Sequence, residues 1–220
     1  VTLGSGDEVT VTCVNKQKPA SLTIVKDAQP DSGQLFDFTT DSDSGTALSN
    51  FSLKDDGDSS NSETFNDLNG GTYNIDEETV PGWDLTDAIC TVNDEDYDFD
   101  PRDGSFEVNN GDEIYCTFTN SKRGEIIVTK YQDNNENGVR DENEPTLEGW
   151  LMHLSQGEDF SDNETTNTLG IATFENLLTG TYILSEPERD GWDLTNIACS
   201  NEQQEGNDRS NKHSVSVSSG

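Results

Sequence analysis

The feature that most constrains this chain is an internal repeat. Three landmarks return 109 residues after their first occurrence: Phe65-Asn-Asp-Leu68 as Phe174-Glu-Asn-Leu177, Gly71-Thr-Tyr73 as Gly180-Thr-Tyr182, and Gly82-Trp-Asp-Leu-Thr86 as Gly191-Trp-Asp-Leu-Thr195. Self-similarity at a fixed period indicates tandem copies of one structural unit. We therefore predict two domains of one fold, residues 21–120 and 121–220, preceded by a separate segment, residues 1–20.

The preceding segment is itself a repeat. Residues 1–15 follow the pattern of residues 106–120, in which Gly-Asp-Glu is followed by alternating apolar residues and Asn, and the internal copy closes the first domain. Residues 215–220 match residues 106–111, the approach to that closing strand. We therefore expect the second domain to lack its last strand and residues 1–20 to hold a donor strand and a linker. Copies of the chain would then join head to tail, with residues 7–15 of one copy completing its neighbour. The alternative is one period of a longer repeat polypeptide.

The pattern of apolar residues predicts an all-β fold. Only 29% of the residues are hydrophobic, a composition that by itself raises the question of disorder. The apolar residues nevertheless alternate, as in Leu22-Thr-Ile24 and Thr72-Tyr-Asn-Ile75, between clusters of Gly, Asn and Asp, which is the pattern of strands and turns. Regularly spaced short strands predict two tandem immunoglobulin-like β-sandwiches.

Charge restricts the partners and the surroundings. The chain carries 45 acidic and 12 basic residues, for a net charge of −33. Nucleic acids and acidic membrane surfaces require clustered Lys and Arg, so neither is an expected partner. Strong self-repulsion is relieved by salt or bound cations, which favours a saline, extracellular setting. No run of 18 apolar residues is present, so no membrane insertion is expected within this segment.

Several strings resemble one known class of domain. Leu22-Thr-Ile-Val-Lys26, Gly71-Thr-Tyr73, Pro81-Gly-Trp83 and Cys116-Thr-Phe-Thr-Asn120 resemble the prealbumin-like, collagen-adhesin B-type domains that form the stalks of surface adhesins and pili. The second domain, with residues 133–144 ahead of Leu147-Glu-Gly-Trp150, is similar to the calcium-binding B repeats of adhesins. The resemblance implies a reverse-immunoglobulin sandwich and a structural role rather than an enzymatic one.

Residues 133–144 fit the twelve-position calcium loop, in which oxygen ligands at alternating positions surround one ion and a glycine at the sixth position permits a sharp turn. Gly138 takes the sixth position. The proposed Ca²⁺ ligands are Asp133, Asn135, Asn137, the carbonyl of Val139, Asp141 and Glu144. The competing interpretation is a solvated acidic loop with an Asn-Gly turn.

The four cysteines suggest disulfides rather than zinc, because they form no CxxC pair and only two histidines are present. Cys90 and Cys116 are expected to bridge neighbouring strands of the first domain. Cys199 is the counterpart of Cys90, and its partner would fall beyond residue 220. We interpret Cys13 as the counterpart of that partner, so it would bond to Cys199 of the adjacent copy. Reduced, buried thiols are the alternative.

Strand alternation points Lys26 and Lys130 inward, one in each domain, and points Asn120 inward on the closing strand of the first domain. In the resembled family such a pair can condense to an isopeptide bond assisted by a nearby acid, and a plain polar contact is the alternative. The matching sets are Lys26, Glu77 and Asn120, and then Lys130, Glu186 and Asn15 of the adjacent copy. Asn50 and Asn163 begin glycosylation sequons.

The sequence favours a structural subunit of an extracellular filament or surface stalk. The second hypothesis is a repeat segment of a long single-chain adhesin that binds a cell-surface ligand. An enzymatic role is not expected, because His153 and His213 follow no nucleophile pattern.

Overall fold

The computed structural model describes residues 2, 4–6, 8–43, 45–57, 61–97, 104–199 and 211–218. Within these ranges the regular structure consists entirely of β-strands. The chain divides into two compact units, one made of residues 1–27, 33–78 and 87–118 and the other of residues 28–32, 79–86 and 119–220. The predicted all-β fold is confirmed.

The first sandwich has nine strands in two sheets among the described residues. The strands are β1 (Ala20–Gln29), β2 (Ser32–Ser42), β3 (Phe51–Asp55), β4 (Ser62–Leu68), β5 (Gly71–Glu77), β6 (Trp83–Val92), β7 (Glu95–Tyr97), β8 (Phe106–Val108) and β9 (Glu113–Lys122). One sheet has the order β4-β1-β9-β6-β7 and the other the order β3-β2-β5-β8. The closing strand β9 therefore lies in the middle of its sheet, between β1 and β6.

Alternating side chains of β9 fill the core of the first sandwich. Ile114, Cys116, Phe118 and Asn120 are each at most 2% exposed, because successive side chains of a strand point to opposite faces. The Phe118 ring meets the ring of Phe38 edge to face, with the centroids 5.2 Å apart. Removing β9 from this sheet would uncover a row of apolar side chains and the edges of two strands.

The second sandwich has six strands in the part of the chain that the structure describes. They are β10 (Gly124–Thr129), β11 (Leu151–Gln156), β12 (Phe160–Thr165), β13 (Ile171–Leu177), β14 (Gly180–Ser185) and β15 (Lys212–Val217). Four of them form a sheet in the order β12-β11-β14-β15, and β10 pairs with β13 in a second sheet. Their inner faces enclose a cluster that includes Ile126, Trp150, Leu154, Phe174 and Tyr182.

The two sandwiches differ at the position of the closing strand. β15 pairs with β14 and sets Val217 opposite Gly180, as β8 sets Val108 opposite Gly71 in the first sandwich. The approach to the closing strand is thus repeated. Among the described residues, no strand lies on the edge of β10 opposite β13. Residues 186–199, which include the described part of the β6 counterpart, carry no strand.

Candidate assembly site and calcium loop

A groove occupies the position that β9 fills in the first sandwich. It has a volume of about 1100 Å³, and its lining includes Ile126, Val128, Met152, Leu184, Cys199 and Val215. β10 forms one wall and residues 194–199 form the other. The groove therefore combines apolar side chains with the edge of a strand, which is the arrangement that accepts an added β-strand.

An ion pair lies at one end of this groove. The Lys130 ammonium donates to both carboxylate oxygens of Glu186, at 3.0 and 2.8 Å, and both side chains are largely buried. Lys130 also lies over the Trp150 ring, 4.6 Å from its centroid. Lys130 and Glu186 thus already form an ion pair with each other. The sequence analysis predicts that Asn15 of an adjacent copy would lie beside this pair.

The corresponding pair in the first sandwich is more deeply buried. Lys26 is fully buried, and its amine lies 3.8 Å from a Glu77 carboxylate oxygen, which is also buried. The amine donates to the Phe118 carbonyl at 2.8 Å and to the Asp27 carbonyl at 3.0 Å. Burial lowers the pKa of Lys26 to about 8, against the opposing influence of the Glu77 and Asp27 charges. Asn120 is buried two residues after Phe118 on β9.

The acidic loop of the second sandwich folds around its own carboxylates. The Glu144 carboxylate accepts from the backbone N–H groups of Asn134 and Asp141, at 2.7 and 3.1 Å. Asp133 accepts from the N–H of Asn137 at 3.2 Å and that of Gly138 at 2.9 Å. Gly138 has a φ of +74°, a left-handed conformation that glycine adopts at little cost.

The donor set of this loop fits calcium in chemistry and in order. Glu144, at the twelfth position, is 5% exposed, and Asp141 accepts from the side-chain amides of both Asn135 and Asn137, so these oxygen-bearing groups lie close together. No cluster of three or more acidic, His or Cys side chains arranged to hold a metal occurs among the described residues. The loop carboxylates accept hydrogen bonds from within the loop instead, and a bound calcium ion would have to replace some of these bonds.

Two contacts join the loop to the walls of the groove. The Gly138 carbonyl accepts from the Tyr131 hydroxyl at 3.2 Å and from the Asn196 amide at 3.1 Å. Tyr131 and Asn196 both line the groove. Desolvation alone would raise the pKa of Asp133, but hydrogen bonds from Gly138, Thr195 and Asn137 outweigh it and lower the pKa. Sequence reasoning missed Thr195 and Asn196 because no pattern relates them to the loop, and Asn196 lies 58 residues after Gly138. It missed Tyr131, which is close in sequence, because a single tyrosine beside the loop gives no signal of this contact.

Comparison with known protein families matches each half of the chain to one domain family. Residues 22–122 match the model of the prealbumin-like fold domain, and residues 124–219 match that of the SdrD B-like domain. The chain is a tandem of these two domains. This agrees with the resemblance seen in the sequence. No match was found among curated protein sequences.

Several solved structures are similar at low identity. The Bacillus anthracis TIE protein is 15% identical, with 91% of this chain and 32% of that chain covered and a TM-score of 0.35. A streptococcal ancillary pilin is 14% identical, with coverages of 92% and 60% and a TM-score of 0.33. The shaft pilin SpaA from Lactobacillus rhamnosus GG, as its D295N mutant, is 12% identical, with coverages of 91% and 94% and a TM-score of 0.31. The chain thus spans about a third of the first protein and 60% of the second. TM-scores below 0.5 do not establish a shared overall architecture.

The cysteines fall in different surroundings in the two domains. Cys90 and Cys116 form a disulfide in the prealbumin-like domain. Cys199 lines the groove of the B-like domain and is partly buried, whereas Cys13 is exposed.

The remaining predicted features lie on the surface. Residues 8–19 carry no strand, and Val9 and Val11 are 47% and 72% exposed. Residue 7 of the predicted donor strand and residues 219–220 of the predicted approach lie outside the described residues. Asn50 in the prealbumin-like domain and Asn163 in the B-like domain are both exposed. No helix in the described part of the chain is long and apolar enough to cross a membrane.

Proposed function

We propose that this chain is a structural subunit of an extracellular filament or surface stalk whose copies join head to tail. Residues 8–15 of one copy enter the groove of the next as its closing strand. The groove beside β10 carries this proposal, because the prealbumin-like domain fills the same position with β9. Calcium in the loop 133–144 is proposed to stiffen the B-like domain.

The energetics favour uptake of a strand. A polar backbone group buried without a hydrogen-bond partner costs about 1 to 3 kcal/mol, and an added strand supplies partners along the edge of β10. Val9, Val11 and Cys13 share one face of an extended segment, as Ile114, Cys116 and Phe118 do in β9. Moving an exposed Val into a core is worth roughly 1.5 kcal/mol or more.

The register of the added strand decides which contacts form. An ungapped match of Gly-Asp-Glu aligns Val11 with Cys116, Cys13 with Phe118 and Asn15 with Asn120. Val11 would then lie opposite Cys199. Cys13 would be diagonal to Cys199, with Cα atoms about 7 to 8 Å apart, which exceeds the usual limit of about 6.8 Å for a disulfide.

The two contacts suggested by the sequence, Cys13 with Cys199 and Asn15 with Lys130, therefore require registers that differ by two residues. A slip that brings Cys13 opposite Cys199 would move Asn15 into the position of Phe118, which is 1% exposed in the prealbumin-like domain. An amide in such an apolar position costs about 1 to 3 kcal/mol. We propose the ungapped register, with Asn15 near Lys130 and Glu186, and treat the intersubunit disulfide as the mark of the slipped register.

The assembly test compares two faces of the same segment. Val9→Asp with Val11→Asp places charge on the inward face, and Thr10→Asp with Thr12→Asp adds the same charge to the outward face. Light scattering with size-exclusion chromatography should show oligomers for the wild type and the outward variant, and monomers for the inward variant. Wild-type monomers, or equal assembly of both variants, would contradict donor-strand exchange.

A cysteine swap tests the register. The variant Val11→Cys with Cys13→Ser should form a ladder on non-reducing electrophoresis that reductant collapses, and it should do so more completely than the wild type. A complete ladder in the wild type and none in the variant would establish the slipped register instead. In the alternative function, consecutive repeats of one long adhesin exchange the strand, and the intact mass of the native polypeptide separates the two cases.

A further inference from the structure

The calcium loop contacts both walls of the strand groove at one atom. The carbonyl oxygen of Gly138 accepts from Tyr131, two residues after β10, and from Asn196, in the opposite wall. In the twelve-position loop, Gly138 immediately precedes the residue whose carbonyl is the seventh ligand, Val139. The Gly138 carbonyl lies in the preceding peptide group, whose N–H, that of Val139, donates to the Asn137 side-chain oxygen at 2.7 Å. Coordination of Asn137 and of the Val139 carbonyl would therefore restrict this peptide group from both sides.

A second contact ties the same glycine to the first ligand of the loop. The Asp133 carboxylate accepts from the N–H of Gly138 at 2.9 Å, so the first ligand position and the contact with Asn196 in the groove wall meet at one residue. In the prealbumin-like domain the counterpart of this wall belongs to the ten-residue strand β6, which is paired with β9 and β7. In the B-like domain the corresponding residues carry no strand, and the loop is one of the elements that position them.

We propose that calcium binding to the loop and strand uptake by the groove are thermodynamically coupled, so that calcium makes the groove ready to accept the donor strand. This inference rests on the proposed donor-strand assembly and adds its regulation. The ion needs the loop in one arrangement, and that arrangement holds Asn196 where the incoming strand must pair. The coupling is reciprocal, since each ligand must change the affinity of the other by the same factor.

The experiment measures both affinities on one chain that comprises residues 1–220. Val9→Asp with Val11→Asp disables the chain's own donor segment, which lies outside both cores. The probe is a fluorescent peptide of residues 8–17 with Ser in place of Cys13, which prevents covalent capture. Anisotropy gives the peptide dissociation constant in calcium and in EDTA, and calorimetry gives the calcium dissociation constant with and without saturating peptide.

Calcium should tighten peptide binding by at least about fivefold, within the usual range of allosteric coupling, and the peptide should tighten calcium binding equally. Asn196→Ala should reduce both factors to less than about twofold, because it removes the bond to Gly138. Asn163→Ala, on the exposed strand β12, should leave them unchanged. Glu144→Gln should weaken calcium binding and abolish the effect of calcium on the peptide, which separates ion binding from screening of the net charge.

The remaining outcomes distinguish this inference from the function on which it rests. If calcium and peptide both bind but neither changes the affinity of the other, the coupling is refuted and donor-strand assembly stands. If the peptide binds in neither condition, donor-strand assembly is refuted and the coupling with it. If calorimetry detects no calcium binding by the loop, the coupling is refuted. Donor-strand exchange is then supported or refuted by whether the peptide binds.

Discussion

The buried Lys26 should make the stability of the prealbumin-like domain depend on pH in an unusual direction. Burial holds its pKa at about 8, whereas an unfolded lysine titrates near 10.4. Between these values the unfolded chain binds the proton more readily than the folded one. The free energy of unfolding should therefore increase as the pH rises from about 8 to about 10.5, and this contribution should be lost as the pH falls through 8.

The magnitude follows from the difference between the folded and unfolded pKa values of Lys26. At about 1.36 kcal/mol for each factor of ten in proton affinity, that difference gives a total of about 3 kcal/mol. Between pH 7.5 and pH 10, the titration of Lys26 in the folded and unfolded chains should raise the free energy of unfolding by about 2.5 kcal/mol of this total. Solvent does not screen the Lys26 charge, because the side chain is fully buried, so this energy is not reduced.

The assay is urea denaturation followed by circular dichroism at constant ionic strength, at pH 7.5 and pH 10. Wild type is compared with Lys26→Met combined with Glu77→Gln, which removes both buried charges, and with Lys18→Met, which removes an exposed lysine that pairs with Glu113. The pH-dependent gain should persist in the Lys18 variant and fall by about 2.5 kcal/mol in the double variant.

Two results would refute this reasoning. Equal pH dependence in all three chains would mean that the amine of Lys26 does not titrate below its ordinary value. A native chain lighter by one ammonia would mean that the amine has been consumed by an isopeptide bond with Asn120 and does not titrate at all. The mass is therefore measured first, on reduced and denatured protein.

The other predictions concern the covalent and metal links. Cys90→Ala with Cys116→Ala opens a link of sequence separation 26 and should lower the free energy of unfolding by about 3.5 kcal/mol on the loop-entropy estimate; a loss below about 1 kcal/mol on urea denaturation would contradict it. Intact mass should equal the mass of a chain in which Lys26 and Asn120 have not condensed, and a deficit of about 17 Da, one ammonia, would instead demonstrate the amide. EDTA should lower the melting temperature of the B-like domain while leaving the prealbumin-like domain unchanged, and Glu144→Gln should reproduce the shift in calorimetry; equal melting with and without calcium would remove the stiffening role.

Periodic features were readable from the sequence. The 109-residue repeat and the alternation of apolar residues predicted two β-sandwiches, because strand burial has a period of two and tandem domains repeat their landmarks. The spacing of oxygen-bearing side chains in residues 133–144 leads to the prediction of a calcium loop, because the ligands of such a loop come from one continuous segment. The match of residues 1–15 to residues 106–120 leads to the prediction of a donor segment. Both stay predictions, and both rest on local order along the chain.

Spatial relations required the tertiary structure. No sequence pattern relates Gly138 to Asn196, and their contact exists because the loop and the groove wall fold against each other over a separation of 58 residues. The different surroundings of Lys26 and Lys130 were likewise unreadable from the sequence, although Lys26 lies in β1 and Lys130 directly follows the equivalent strand β10. Lys26 lies under a complete sandwich and is fully buried, whereas Lys130 lies at the end of an open groove and keeps partial access to solvent. Burial depends on which strands are present around a residue, and that is a property of the assembled sheet rather than of any one segment.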